Sequence, residues 1–159
     1  MANDTAGYRE LMTEIRNKKL EIRSVYAGDE IRFANFKFAV LWPKRGFESR
    51  ELNETAIVGK LSFGDFDALL TSDAGSIAPA EPAEVLKVPH HGSKYDMTAD
   101  WLARVSPSMA VISVGKRNSY GHPAPEALKL LRDAGVKILR TDQDGDVEIV
   151  SDGKSYWVK

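Results

Sequence analysis

The hydrophobic pattern changes period along the chain, and the changes mark out the elements. Tyr8, Leu11, Met12 and Ile15 recur at helical spacing with charged residues between them, which predicts a helix over Tyr8 to Lys19. A small, polar, frayed end is expected before it, at residues 1–7. Leu20 to Tyr26 alternates as a half-buried strand does, and Ala27-Gly28-Asp29 reads as a turn. Ile31 to Phe33 and Phe36 to Trp42 are the next strands, joined through Ala34-Asn35 and stopped by Pro43. Lys44 to Glu54 is polar and unpatterned, hence a loop. Strand pattern returns in Thr55 to Phe63 and Phe66 to Thr71, around the two-residue hairpin signal Gly64-Asp65.

Ser72 to Glu84 is rich in Ala, Pro, Gly and Ser and predicts a loop leading into a strand at Val85 to Val88. Thr98 to Val105 predicts a short helix with Thr98 as its N-cap and Pro107 beyond its end. Met109 to Val114 is nearly all apolar, as in a strand covered on both faces. Pro123 to Ala134 is the clearest helix, with Leu128 and Leu131 on one face and Gly135 at its end. Val136 to Arg140 is another strand, and Asp146 to Ser151 pairs with Lys154 to Val158 across Asp152-Gly153. Three helices among nine or ten short strands define a sheet-rich α/β chain, one domain over residues 8–159.

Composition narrows the chemistry. The formal net charge of −1 gives no global pull toward nucleic acid, so any such affinity must be local. The absence of cysteine removes disulfides and thiolate metal sites, leaving His and carboxylate as strong ligands. No apolar run approaches the ~20 residues a membrane helix needs, and no signal-peptide core opens the chain.

Against that background three strand ends stand out. Leu86-Lys87-Val88-Pro89-His90-His91-Gly92-Ser93 breaks an apolar strand at a proline and delivers two adjacent histidines. Leu69-Leu70-Thr71-Ser72-Asp73 ends a strand in a carboxylate followed by Ala74-Gly75. Asn118-Ser119-Tyr120-Gly121-His122-Pro123 carries the third histidine at the start of a helix, whose free N–H groups suit an anion such as phosphate. Rigid strands ending in His or Asp at a polar rim are a common way to build a hydrolytic or metal site. Ser93 reads as a turn cap, because no Gly-x-Ser-x-Gly elbow is present to make it a nucleophile. Lys87, Lys94, Lys116 and Arg117 add positive charge near the same edge, while Tyr95 and Trp101 read as rim or core residues.

Taken in order with Ile112-Ser113-Val114-Gly115 and Thr141-Asp142-Gln143-Asp144-Gly145, these motifs resemble the metallo-β-lactamase-like domain of ComEC-type DNA-uptake competence proteins. The resemblance runs from about Tyr8 to the C-terminus. It implies an αββα sandwich with a dinuclear metal site at one edge. Asp73 would bridge two divalent ions, Zn²⁺ or Mn²⁺, and one of His90 and His91 would ligate; spacing does not say which. The other histidine of the pair and His122 would contact phosphate or protonate the leaving group, with Ser93, Lys116 and Asn118 on the same side. The ions would lower the pKa of a water and clamp the attacking and leaving oxygens of a phosphodiester, with DNA as the implied substrate and partner. The implied setting is a soluble domain, extracytoplasmic if attached to a membrane DNA-uptake channel and cytoplasmic otherwise.

Three departures from the family pattern shape the expectations. Ser72 stands where a glycine usually precedes the aspartate, and the acidic helix after it is cut to the loop Ser76 to Ala83. The principal ligand motif, His-x-His-x-Asp-His, is absent, so the chain reads as the C-terminal portion of the domain, a truncated piece or a natural short protein. Metal is then expected to bind weakly or not at all, and hydrolysis to be absent from this chain alone. An open sheet face is expected to bind the missing half or a second copy. A non-catalytic DNA- or protein-binding module and a hydrolase of another ester-type substrate are the rival readings.

Overall fold

The computed structural model describes residues 5–159. Seven strands lie across one mixed sheet in the order of the sequence: β1 (Glu30–Phe33), β2 (Phe36–Trp42), β3 (Val58–Phe63), β4 (Phe66–Leu70), β5 (Val85–Lys87), β6 (Met109–Ile112) and β7 (Lys137–Arg140). β1 to β4 pair antiparallel, and β4 to β7 continue in parallel. The connections explain the switch. Ala34-Asn35 and Gly64-Asp65 are two-residue turns that can only reverse the chain, whereas the later strands are separated by longer crossovers. The crossovers after β5 and β6 carry helices α2 (Ala99–Val105) and α3 (Pro125–Asp133). The mixed α/β class read from the pattern is what the chain adopts.

One face of the sheet holds the main core. Leu69, Leu86, Ala110 and Ile112 meet Trp101, Leu102 and Val105 of α2 and Ala127 and Leu131 of α3. Thr98 caps α2 by accepting from Trp101 N at 3.2 Å. The cap and the helical period agree, which is why this helix was legible. On the other face, Phe66, Ala68, Val85 and Met109 form a second cluster beneath a two-stranded sheet of β8 (Ile149–Ser151) and β9 (Tyr156–Val158). Tyr156 packs on Phe66 with ring centroids 5.3 Å apart. The turn at Gly64 has φ +59, and a Cβ there would lie 2.2 Å from Gly153 O. Only glycine lets the two hairpin turns meet.

Several elements differ from the sequence reading, each for a local reason. Leu20 to Tyr26 is not a strand: among the described residues no strand pairs with it, and Leu20 and Ile22 are exposed. Alternation alone cannot supply a partner. The first helix, α1 (Ala6–Asn17), starts earlier than its apolar stripe, capped by Thr5, and buries no residue; residues 1–4 of the expected frayed end lie outside the described residues. Leu52–Thr55 winds into a 3-10 turn within the expected loop, so β3 begins only at Val58. α3 begins at Pro125, because Ala124 is still extended. A four-residue helix, α4 (Thr141–Asp144), has no periodicity to betray it. Side chains set it: the Asp144 carboxylate accepts from Arg140 N at 2.6 Å, and the Thr141 hydroxyl bonds both N and O of Val114 at 2.7 and 2.9 Å.

Among the described residues no helix is long and apolar enough to cross a membrane.

Candidate metal and phosphate site at the carboxyl ends of the parallel strands

β4, β5 and β6 run parallel, so their carboxyl ends open on the same edge of the sheet, where open α/β sheets place ligands. The loops leaving them carry Asp73, the His90-His91 pair and His122. All four side chains, with Asn53 and Tyr120, line one cleft of about 350 Å³. The three strand ends singled out in the sequence thus form one site.

The backbone is bent to make it. Ser72, His90 and His91 have φ of 48, 45 and 55, the left-handed region that non-glycine residues seldom enter. A glycine would be at ease at Ser72, and there the family pattern usually has one. The strained loops are held by each other: His90 N donates to Ser72 O at 3.1 Å and Ser76 N to Asp96 O at 2.8 Å. Gly75 permits that approach, since a Cβ on it would lie 2.5 Å from Asp96 O.

The two adjacent histidines have different surroundings. His91 Nδ1 lies 2.6 Å from Ser113 O, so that nitrogen carries the proton and donates to the carbonyl. Its Nε2 faces the carboxylate of Asp73, 3.7 Å from Oδ1. His90 is engaged at both nitrogens: Nδ1 donates to Asp96 Oδ2 at 3.0 Å, and Nε2 accepts from Asn53 Nδ2 at 3.2 Å. His122 faces His90, with ring centroids 5.6 Å apart. Its Nδ1 is buried without a hydrogen-bond partner. Burial, then repulsion from His90 and His91, lowers the His122 pKa, and Asp96 offsets this only in part. Burial likewise lowers Lys87 against the pull of Asp73, and its Nζ is 3.5 Å from Ser72 O.

Asn118 shapes the loop before α3. Its Nδ2 donates to His122 O at 2.8 Å and Gly115 O at 3.2 Å, and its Oδ1 accepts from His122 N at 2.9 Å. That is the role of a clamp. Ser93 ends the 3-10 turn Pro89–Gly92, its N–H donating to His90 O at 2.9 Å. Lys94 is drawn to Glu126 at 2.8 Å, while Lys116 and Arg117 stay exposed on the clamped loop. Sequence reasoning passed over Asn53 and Asp96, the two partners of His90. Asp96 lies only six residues after His90, but a single acid in a polar stretch carries no pattern.

The donor set can be tested for a divalent ion. Two ligands of a tetrahedral ion stand roughly 3.4 Å apart. His91 Nε2 and Asp73 Oδ1 are close to that spacing, and the Ser113 carbonyl orients the imidazole through its Nδ1, as carbonyls behind metal-binding histidines do. These two fit one edge of an ion's coordination shell. Among the described residues no group of three or more such side chains gathers at one point. Two donors are fewer than the three or four protein ligands of a tightly bound ion.

Asp73 is only half-buried, in the turn that follows β4 and beside small residues, so little of the fold rests on its charge. Asp73→Asn is expected to change unfolding free energy by less than ~1 kcal/mol in urea melts. A larger loss would make Asp73 a structural residue.

By sequence the chain belongs to the ComEC-type competence proteins. It is 32% identical over 141 residues to ComE operon protein 3 of Bacillus subtilis, covering 84% of this chain and 18% of that protein. Competence protein ComA of Neisseria gonorrhoeae is 39% identical over 66 residues, 42% of this chain and 10% of that protein. An uncharacterized protein, YcaI of Escherichia coli, is 26% identical over 133 residues, 77% of this chain and 17% of its own length. The chain thus spans less than a fifth of each of these relatives. No protein-family model matches it.

Proposed function

We propose that this chain is part of a metallo-β-lactamase-like phosphodiesterase that acts on DNA in competence-type uptake. The observation that carries the reading is the pairing of His91 Nε2 with Asp73 Oδ1, with His91 oriented from behind by Ser113 O. The names of the competence relatives supply the biological setting. Of the adjacent pair, His91 is the ligand in this proposal, because both nitrogens of His90 are already engaged. A divalent ion at Asp73 and His91, Zn²⁺ or Mn²⁺, would supply an acidified water and offset phosphate charge. His90 is held by Asp96 and Asn53 at the wall of the cleft, where it and His122 border the space for a phosphate. Lys116 and Arg117 lend that edge positive charge.

Zinc titration of the 159-residue chain, followed by imidazole resonances in nitrogen-15 NMR, tests the reading. The His91 Nε2 signal is expected to move and His90 to stay. After dialysis less than one ion per chain should remain, because two donors hold an ion loosely. His91→Ala and Asp73→Asn should abolish the response and His90→Ala keep it. The chain alone is expected to cleave bis-p-nitrophenyl phosphate no faster than background. A response at His90 instead, or one indifferent to Asp73, would remove the metal reading. The site would then be that of a non-catalytic DNA- or protein-binding module.

A further inference from the structure

Tyr120 is 83% exposed, although it stands in the middle of the site's most tightly clamped loop. Asn118 fixes the backbone on both sides of it through the bonds to Gly115 O and His122. The ring lies nearly parallel to His122, at 13° with centroids 6.1 Å apart, and its outer face is bare. Tyr120 also borders two recesses at once. One is the cleft that holds Asp73, His90 and His91. The other, about 380 Å³, opens toward His91, Ser113 and Val114. Across the site Tyr95 is 81% exposed, with Lys94 Nζ 5.4 Å from its ring centroid.

An aromatic ring with a free face, beside the space for a phosphate, has a natural occupant. We propose that Tyr120 is a stacking platform for an unpaired nucleobase next to the phosphate bound at His91 and Asp73. This rests on the phosphodiesterase reading for where the phosphate lies. Strandedness follows from the geometry of stacking. Inside a duplex both faces of a base are taken by its neighbours, so only an unpaired base can offer a face to the tyrosine. Stacking tolerates any base, so such a platform would read no sequence. The exposed Lys116 and Arg117, three and four positions before Tyr120, would follow the backbone of the same strand.

Fluorescence anisotropy in EDTA tests this without any metal or turnover. The probes are a labelled ten-nucleotide oligothymidylate, the same strand with one abasic position, and a blunt duplex hairpin. The wild-type chain is expected to bind the single strand about ten-fold more tightly than the hairpin. Tyr120→Ala should lose about ten-fold on the single strand and nothing on the hairpin, whereas Tyr120→Phe keeps the platform and should bind as wild type. The alanine variant should discriminate less against the abasic strand, a readout that a general loosening of the loop would not give. Equal affinity of wild type and Tyr120→Ala for the single strand overturns the proposal. So does a preference for the hairpin, or no binding of either probe. Failure of the zinc response at His91 leaves these affinities unaffected, so the two readings fail separately.

Discussion

Trp101→Ala is expected to destabilise the chain by about 3–5 kcal/mol, the range for removing a large buried aromatic side chain. Trp101 is 1% exposed and packs α2 onto the sheet in the main core. Its indole also donates from Nε1 to Ala78 O at 2.9 Å. Ala78 belongs to the loop between β4 and β5, the loop that presents Asp73, and it is itself buried. The substitution therefore opens a cavity and leaves a buried carbonyl without its donor, two separate costs. Domains of this kind have only about 5–15 kcal/mol to lose, so the variant should unfold at markedly lower urea with an unchanged slope. Trp101→Phe keeps most of the volume and should lose roughly 1–2 kcal/mol. If alanine at this position costs under ~1 kcal/mol, the loop is not anchored through α2 and the route from core to Asp73 is wrong.

That dependence shows what was legible in the sequence and what was not. The strands could be read because apolar period and turn residues agreed: Gly64-Asp65 joins β3 to β4, and Asp152-Gly153 opens a four-residue connection, longer than the two residues expected, between β8 and β9. The site could be read in outline because Asp73, His90, His91 and His122 each follow an apolar run or a shaped turn, and parallel strands bring such ends to one edge. The division of labour between His90 and His91 could not be read. It depends on Asn53, Asp96 and the carbonyl of Ser113, groups from three other segments with no fixed spacing from the pair. Leu20 to Tyr26 failed in the opposite way, having the alternation of a strand without a strand to pair with among the described residues. α4 failed because its determinants are the single side chains Thr141 and Asp144. Pattern reveals what faces the core. It is silent about contacts made once between distant loops.

Self-association is the second large effect expected of this chain. Alternation in β1 to β3 turns Ile31, Phe33, Phe36, Phe38, Leu61 and Phe63 to the sheet face opposite α2 and α3. The hairpin β8–β9 covers that face over Phe66, Ala68, Val85 and Met109, with Leu61 packed at the margin and the turn at Gly153 beside Phe63. Toward β1 the face lies open: Ile31 is 47% and Phe33 54% exposed, and Phe33, Phe36 and Phe63 stack in a row at 5.3 and 4.5 Å. The uncovered area is smaller than the strand pattern alone suggested, because the C-terminal hairpin closes part of it. A patch on the order of 400 Å² is still at the size where exposed apolar surface marks an interface. Two copies face to face cover two such patches, which yields about 20 kcal/mol at roughly 25 cal/mol per Å², against an association cost of about 4–15 kcal/mol. The balance favours a dimer of modest affinity. The mode should be face to face, because the Glu30 carboxylate pairs with Arg32 at 2.6 Å and Lys37 at 3.9 Å, which places charge along the edge and discourages strand addition. Sedimentation equilibrium at micromolar concentration should show mass above the 17.6 kDa monomer. Phe33→Lys, which puts a charge into the aromatic row without touching the core, should return the monomer and bind less of a hydrophobic dye. A wild-type monomer that binds no such dye would mean the sheet face is sealed in solution, and neither a second copy nor another segment would be needed to cover it.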